Sequence, residues 1–290
     1  MKKLLFQLDT DPIPNTFDTV VAYDGGADHV TVLGGVNPDN VGRLVEGAIF
    51  TRAPGNKKFT ALFITGSEMA AGEAVLEKIT RQFFGNFRVS VMLDSNGANT
   101  TAAAVVASLR RGREIAGQRA VILAGTGPVG QRAAVMLALG GATVTVTSRQ
   151  LARAETVCAA LNRRFQVNLG AAAVDNPEAL TAALDGAEIV LATGAAGVTL
   201  LPASIWQSHA SLKVIMDANS SPPAGIEGIE LSDRGSLKYD KQCFGALGFG
   251  GLKLETHRCC IEMLFEANDQ VLDAERILAV ATELASRVHN

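Results

Sequence analysis

The chain has 290 residues, enough for about two domains, and 26 basic against 29 acidic side chains give it a formal net charge of −3. This balance excludes the strongly basic surface of a dedicated nucleic-acid binder or polybasic membrane binder. Hydrophobic residues make up 48% of the sequence, which predicts a folded protein, and no apolar run approaches the roughly 18 residues of a membrane span. We expect a cytoplasmic protein.

Strands and helices are predicted to alternate through the first hundred residues. The predicted strands are 2–8, 30–33, 59–65 and 88–93, and the predicted helices are 14–23, 38–45, 68–84 and 100–111. Asn37 and Ser67 stand where N-caps of the second and third helices are expected. Such alternation is typical of an open α/β sheet.

The alternation resumes at Arg119 and predicts a second α/β unit. Its predicted strands are 120–124, 143–147, 170–174, 188–193 and 212–217, and its helices are 128–139, 150–165, 177–184 and 202–207. A glycine-rich loop at 244–251 and two helices, 255–267 and 273–288, complete the chain. We therefore predict two domains: residues 1–112, completed by the C-terminal helices within 252–290, and residues 113–251.

One motif in the second predicted domain indicates a cofactor. The segment between the strand 120–124 and the helix 128–139 reads Gly125, Thr126, Gly127, Pro128, Val129, Gly130. This is G-x-G-x-x-G, in which the glycines permit a tight turn, a close approach of pyrophosphate and close helix–strand packing, and the helix N-terminus attracts the phosphates. The strand, motif and helix predict a Rossmann-type domain that binds a dinucleotide.

The end of the next strand favours NADP over NAD. Proteins that prefer NAD usually place an acidic residue there, whereas this chain has Ser148 and Arg149, which can bind a 2′-phosphate. NAD stays possible. Further cofactor contacts are expected where the later strands end, because ligands of open α/β sheets lie beyond the carboxyl ends of strands. The residues at those ends are Thr193, Gly194, Ala195 and Asn219.

Polar residues in the first predicted domain indicate a substrate site. Asp94, Asn96 and Asn99 follow the strand 88–93, and N-capping explains only one of them. Lys253 lies between apolar neighbours after the glycine-rich loop and is a second candidate. His257 is a third, although a structural role is the simpler interpretation. The cysteines and histidines show no metal-ligand spacing, so no metal is predicted.

Together these segments resemble the bacterial NADP-dependent methylene-tetrahydromethanopterin dehydrogenases of one-carbon metabolism, which also act on methylene-tetrahydrofolate. The resemblance is carried by the segments 23–29, 92–102, 123–130 and 244–258. It implies that a hydride passes from the pterin's methylene group to NADP, giving the methenyl cation, as a step of formaldehyde oxidation in methylotrophy. It also implies an active cleft between two α/β domains and a homo-oligomer, expected to be a trimer.

The resemblance also implies roles for single residues. Lys253 is expected near the reacting carbon, and the pterin site is expected to include Asp24 and Gly25 beside the candidates named above. Two alternatives stay open. One is another NAD(P)-dependent oxidoreductase of shikimate-dehydrogenase-like architecture, for which Lys57 and Lys58 offer no strong lysine–aspartate pair. The other is a non-catalytic module that binds a nucleotide or a pterin.

Overall fold

The computed structural model describes residues 1–287, which form two compact units. The first unit comprises Met1–Thr100 and Lys253–Leu284. The second comprises Thr101–Leu252 and the described residues from Ala285 on. Within the described residues, no helix combines the length and apolar character that crossing a membrane requires.

The helices and strands follow in chain order. They are β1 (Leu4–Asp9), α1 (Thr16–Asp24), β2 (His29–Leu33), α2 (Val41–Phe50), β3 (Thr60–Thr65), α3 (Met69–Gln82), β4 (Ser90–Leu93), α4 (Ala98–Arg110), β5 (Arg119–Leu123), α5 (Pro128–Leu139), β6 (Thr143–Ser148), α6 (Leu151–Phe165), β7 (Gly170–Ala173), α7 (Pro177–Leu184), β8 (Ile189–Ala192), α8 (Ala203–Trp206), β9 (Val214–Asp217), β10 (Arg234–Lys238), β11 (Lys241–Phe244), α9 (Ala246–Met263), β12 (Val271–Leu272) and α10 (Ala274–Arg287). Short 3-10 turns occupy Pro54–Phe59 and Ser95–Gly97.

The first unit contains a five-stranded parallel sheet in the order β12-β4-β3-β1-β2. All six residues of β3 are buried, as expected for a central parallel strand covered on both faces. The strands β1, β3 and β4 end at Asp9, Thr65 and Leu93, so the polar residues that follow them share the carboxyl edge of the sheet. This edge positions the candidate substrate site.

The second unit contains a seven-stranded sheet in the order β10-β11-β9-β8-β5-β6-β7. Counted from β5, the parallel strands have the order 3-2-1-4-5-6 of a Rossmann sheet, with β11 as the sixth strand and β10 antiparallel at the edge. The predicted fold class, α/β with a Rossmann-type domain and a second α/β domain, is confirmed. The β10–β11 hairpin and the two-residue strand β12 were not predicted, because they are short and lack a continuous apolar pattern.

The prediction of a glycine-rich loop at 244–251 is wrong: β11 ends at Phe244 and α9 begins at Ala246. Two glycines are needed here for close packing. A Cβ on Gly245 would lie 2.0 Å from the Glu230 carbonyl oxygen, and one on Gly248 would lie 1.8 Å from the Asp233 carbonyl oxygen. The glycines therefore allow the first turns of α9 to pack on a neighbouring backbone segment.

Other predicted boundaries also changed. Helix α2 begins at Val41 and not at Pro38, because the side chain of Asn37 caps a separate turn by accepting hydrogen bonds from the N–H groups of Asp39 and Asn40. Ser67 does not cap α3, since its N–H and hydroxyl both donate to the Asp11 carboxylate. The predicted final helix reached Val288, which lies outside the described residues.

Candidate functional site

The turn between β5 and α5 is fixed to the end of β6. Ala124 has a positive φ of 52°, and its N–H donates to Thr147 Oγ1 at 3.2 Å. The N–H of Gly125 donates to the Thr147 carbonyl oxygen at 3.0 Å. This arrangement brings the chain from the buried strand into the first turn of α5.

The three motif glycines meet three different surroundings. A Cβ on Gly125 would lie 2.9 Å from Ile122 Cγ2, and one on Gly130 would lie 2.6 Å from Gly125 Cα. A Cβ on Gly127, by contrast, would meet no atom of the described residues within 4 Å. Gly125 and Gly130 are thus required by packing, whereas Gly127 faces the open space that a pyrophosphate group needs.

The N-terminus of α5 is suited to an anion. Pro128 occupies its first turn, and no side chain caps it within the described residues. The carbonyl oxygen of Thr126 accepts a hydrogen bond from Gln131 Nε2 at 2.7 Å, and the half-buried Val129 continues the turn. Uncapped N–H groups and the helix dipole favour a phosphate here, so the motif fits the pyrophosphate of a dinucleotide.

The end of β6 offers a hydroxyl and a guanidinium. Ser148 is half-buried and its Oγ accepts a hydrogen bond from the N–H of Gln150 at 3.3 Å. Arg149 is exposed, and the first residues of α6 bring no carboxylate between Arg149 and Arg153. A 2′-phosphate would meet a positive charge at this end of the strand.

The predicted cofactor contacts that follow β8 and β9 mainly stabilise the loops in which they lie. Thr193 Oγ1 donates to the Leu123 carbonyl oxygen at 3.2 Å, and a Cβ on Gly194 would lie 2.7 Å from Leu200 Cδ1. Ala195 is exposed. Asn219 is 7% exposed, and its side chain bonds to the N–H of Ser221 and the carbonyl of Pro223. The Asn219 side chain therefore stabilises its own loop.

In the first unit, four titratable side chains form the Asp94 cluster: Asp18, Asp94, Lys253 and His257. Asp94 is fully buried and accepts hydrogen bonds from the N–H and hydroxyl of Thr100 at 3.0 and 2.6 Å. His257 is also fully buried, with Nδ1 3.9 Å from Asp94 Oδ2. Burial raises the pKa of Asp94, and the charge of Lys253 and the Thr100 hydrogen bonds oppose that rise.

Lys253 is the half-buried cation of the cluster. Its Nζ lies 4.1 Å from the centroid of the Phe17 ring, a cation–π contact. Burial lowers its pKa, and the carboxylates of Asp94 and Asp18 counteract that shift. Burial, with the charge of Lys253, lowers the pKa of His257 to about 3, so this imidazole is neutral at physiological pH.

Asp18 was missed by the sequence analysis. It lies in the first turn of α1 and is 3% exposed, and burial, reinforced by the charge of Asp94, raises its pKa to about 7. Its spacing could have revealed it: Asp18 lies three and four residues before Val21 and Ala22, so all three share the buried face of α1. A carboxylate on the buried face of a helix indicates a partner or a function.

The structure gathers only part of the predicted substrate set. Asn99 is buried beside Asp94 and donates from Nδ2 to the Leu93 carbonyl oxygen at 2.6 Å, while its Oδ1 has no hydrogen-bond partner in the described residues. Asn96 is exposed with a φ of 57°. Asp24 is exposed and pairs with Arg258 at 3.0 Å, and a Cβ on Gly25 would lie 2.6 Å from Ile261 Cβ.

A Rossmann unit with a phosphate-binding turn, joined to a second parallel α/β unit with a buried charge cluster, defines the class of nicotinamide-dinucleotide-dependent dehydrogenases. Comparison with known proteins identifies the family. The family model "Methylene-tetrahydromethanopterin dehydrogenase, N-terminal" matches residues 16–96. The Bifunctional protein MdtA of Methylorubrum extorquens is 51% identical over 98% of this chain and 99% of its own.

A second relative extends this similarity. The NAD(P)-dependent methylenetetrahydromethanopterin dehydrogenase of Methylorubrum extorquens is 33% identical over 93% of this chain and 94% of its own. The chain belongs to the methylene-tetrahydromethanopterin dehydrogenase family, which confirms the predicted family, oxidoreductase class and nicotinamide cofactor. Among solved structures, 5-ketofructose reductase of Gluconobacter sp. strain CHM43 has a TM-score of 0.54 at 18% identity, covering 98% of this chain and 99% of its own. That likeness concerns the fold alone.

Proposed function

We propose that this protein oxidises the methylene bridge of methylene-tetrahydromethanopterin, and also of methylene-tetrahydrofolate, with NADP as the hydride acceptor. The observation that carries this function is the half-buried Lys253 beside the buried Asp94, in a chain similar over nearly its whole length to enzymes named for this substrate. Bound NADP would accept the hydride at its nicotinamide ring.

The chemistry accounts for the groups that the cluster contains. The methylene carbon lies between two nitrogens, whose lone pairs stabilise the methenyl cation when the hydride leaves. No proton leaves in that step, so the protein has to orient the pterin and exclude water. Lys253 would orient the pterin, and the fully buried Asp94 would balance the charge of Lys253. His257, neutral and packed 5.3 Å from the Phe63 ring, would close the wall behind them.

The cofactor side of the reaction belongs to the second unit. The turn at Gly127 and the N-terminus of α5 would hold the pyrophosphate, and Ser148 and Arg149 would hold the 2′-phosphate of NADP. The proposed division assigns 113–251 to the NADP domain and 1–112 with 252–290 to the pterin domain. The compact units differ from it at 101–112, at 252 and in the described residues from 285 on, all of which fall in the second unit. The active cleft between the domains stays a prediction.

The test is an absorbance assay at 340 nm with purified protein. Methylene-tetrahydromethanopterin and methylene-tetrahydrofolate are each supplied with NADP and with NAD. We expect reduced nucleotide with both pterins, faster with NADP, and a large loss of rate in Lys253→Ala. A matched control is Lys213→Ala, an exposed lysine of the second unit paired with Glu188. Absence of reduced nucleotide with either pterin would contradict the proposed function and favour a binding module.

The shikimate-dehydrogenase-like alternative is not favoured. Lys57 is 1% exposed, donates to the carbonyl oxygen of Ile49 and lies 4.1 Å from the Phe87 ring centroid. Lys57 is therefore held by packing, and within residues 1–287 it forms no proton-transferring pair with an aspartate.

We also propose a homotrimeric assembly and a cytoplasmic location. A homotrimer follows from the resemblance and is tested by light scattering, where three copies of the 30.3-kDa chain are expected. Location in the cytoplasm agrees with the four cysteines, all of which are free, since disulfides are rare in reducing compartments.

A role in methylotrophic formaldehyde oxidation is tested by growth of a deletion strain on methanol, where we expect growth to be impaired.

A further inference from the structure

Charge is unevenly balanced in the Asp94 cluster. Asp18 directly follows Phe17, whose ring centroid lies 4.1 Å from Lys253 Nζ, and Asp94 Oδ2 lies 3.9 Å from His257 Nδ1. Two carboxylates, Asp18 and Asp94, therefore act on the charge of one ammonium group, Lys253, while His257 is neutral. With both carboxylates ionised, the cluster carries one more negative than positive charge. A buried charge excess is costly unless a ligand compensates for it.

The two carboxylates are not equivalent. Asp94 is fully buried and bonded to Thr100, so its position is fixed by the protein. Burial and the charges of Asp94, Lys253 and Asp9 set the pKa of Asp18, without a hydrogen bond from the described residues. Lys253 is half-buried, whereas Asp18 is 3% exposed and Asp94 and His257 are fully buried, so a ligand would reach the cluster at Lys253 and sense Asp18 through its charge.

The proposed reaction makes a cation from a neutral methylene bridge. An ammonium group near the reacting carbon repels that cation, so Lys253 alone would oppose the reaction that it is expected to assist. A carboxylate close to Lys253 removes this penalty. Asp94 is one such carboxylate and brings the sum with Lys253 to zero, and a second carboxylate gives the cluster a net negative charge.

We propose, on the basis of the proposed function, that Asp18 supplies the negative charge beyond that of Asp94, so that the cluster becomes net negative and the site favours the methenyl cation over the neutral methylene pterin. Asp18 acts on the reaction through charge and requires no covalent step. The preference for the methenyl cation should appear in equilibrium binding as well as in catalysis, because substrate and product differ by one charge.

The experiment measures dissociation constants without nucleotide. Methylene- and methenyl-tetrahydromethanopterin are titrated by calorimetry into wild type, Asp18→Asn, Asp18→Glu and the control Asp39→Asn, which removes an exposed carboxylate of the same unit. We expect Asp18→Asn to weaken binding of the methenyl form about tenfold, the order expected of one charge at short range, with much less effect on the methylene form. Asp18→Glu should restore most of the preference, and Asp39→Asn should leave it unchanged.

A pH series separates charge from shape. Asp9, Asp94, Lys253 and His257 are the titratable neighbours of Asp18, and His257 stays neutral above about pH 3. The preference of wild type for the methenyl form should increase from pH 6 to pH 8 as Asp18 ionises, and Asp18→Asn should be nearly flat over this range.

Three outcomes contradict the charge-balancing role. Equal weakening of both pterins in Asp18→Asn would mean that Asp18 holds the ring by hydrogen bonds alone. Unchanged dissociation constants for both pterins would mean that Asp18 has no part in binding. Failure of wild type to bind either pterin would overturn the proposed function itself, together with this inference.

Discussion

At the residue scale, Arg149 is the side chain on which the cofactor preference depends. It stands exposed at the end of β6, and no acidic residue adjoins it. We expect Arg149→Ala to weaken NADP binding about tenfold or more, since a charge-assisted hydrogen bond contributes about 1.5–3 kcal/mol, and to leave NAD binding nearly unchanged. Fluorescence titration with both nucleotides measures the effect.

The matched control for Arg149 is Arg163→Ala, an exposed arginine in the last turn of α6. It removes the same charge far along the helix from the predicted phosphate site, and NADP affinity should not change. Equal losses for NADP and NAD in Arg149→Ala would show that Arg149 does not bind the 2′-phosphate.

Asp18 makes stability depend on pH. Its pKa is about 7 in the folded protein and near 3.8 when unfolded, so the folded state binds more protons between these values. The contribution of Asp18 to stability therefore increases as pH falls from 7 toward 4. We expect Asp18→Asn to lose about 1–2 kcal/mol relative to wild type between pH 7.5 and 5.5, measured by urea unfolding.

His257 contributes with the opposite sign. Its pKa falls from 6.5 to about 3 on folding, so its contribution is complete above pH 6.5 and declines as pH falls. In wild type the two groups partly cancel between pH 4 and 6.5, and removal of Asp18 exposes the acid sensitivity due to His257. A relative stability of Asp18→Asn that is independent of pH would contradict this assignment.

The sequence was informative about polar residues at strand ends and less so about polar residues on helices. Asp94 follows β4 directly, and Lys253 interrupts an apolar run, so both stood out. Asp18 did not, because one acidic residue in the first turn of a helix has an ordinary explanation in the helix dipole. Its proposed role depends on the charge of Lys253 in α9, more than 200 residues away in sequence, which no local pattern shows.

At the scale of elements, two substitutions in the turn between β5 and α5 should separate an effect on NADP binding from an effect on stability. Gly127→Ala adds a Cβ that meets no protein atom, whereas Gly130→Ala places one 2.6 Å from Gly125 Cα. We expect Gly127→Ala to weaken NADP binding strongly with little change in melting temperature. Gly130→Ala should lower stability by about 1–3 kcal/mol, the usual cost of overpacking. Calorimetry and thermal unfolding measure both, and normal NADP affinity in Gly127→Ala would contradict the pyrophosphate site.

Helix α9 provides a second matched pair of glycines. Gly248→Ala should destabilise the protein by about 1–3 kcal/mol, since the new Cβ would lie 1.8 Å from the Asp233 carbonyl oxygen. Gly250→Ala meets no atom within 4 Å and should stabilise the helix by about 0.5–1 kcal/mol. Urea unfolding gives both values, and a stabilising Gly248→Ala would contradict the close contact.

These glycines also explain why the sequence analysis predicted a loop at 244–251. Helix propensity counts each glycine as unfavourable, and four of them between 245 and 251 outweighed the apolar residues. Tertiary packing reversed that preference, since only glycine permits the approach of α9 to the segment 230–234. The other long helices and the central strands, by contrast, follow hydrophobic periodicity and were placed to within a few residues, whereas α9 begins nine residues before its predicted start at 255.

At the scale of the whole molecule, the order of strands in the second sheet could be predicted from the sequence only because the G-x-G-x-x-G motif marks its first strand. Alternating strands and helices predicted parallel sheets, and the G-x-G-x-x-G segment predicted which strand begins the Rossmann unit. The antiparallel hairpin β10–β11 and the return of β12 to the first sheet depend on pairing between distant segments. Such pairing is set by the assembled sheets and not by a local pattern.

The central claim is the transfer of a hydride from the pterin's methylene carbon to NADP. The most direct measurement uses methylene-tetrahydromethanopterin in which both hydrogens of that carbon are replaced by deuterium. The reduced nucleotide and the methenyl product are then analysed by mass spectrometry. We predict that one deuterium is transferred to the nicotinamide ring of NADPH while the methenyl product retains the other. Reduced nucleotide without deuterium, or no reduced nucleotide, would contradict the claim.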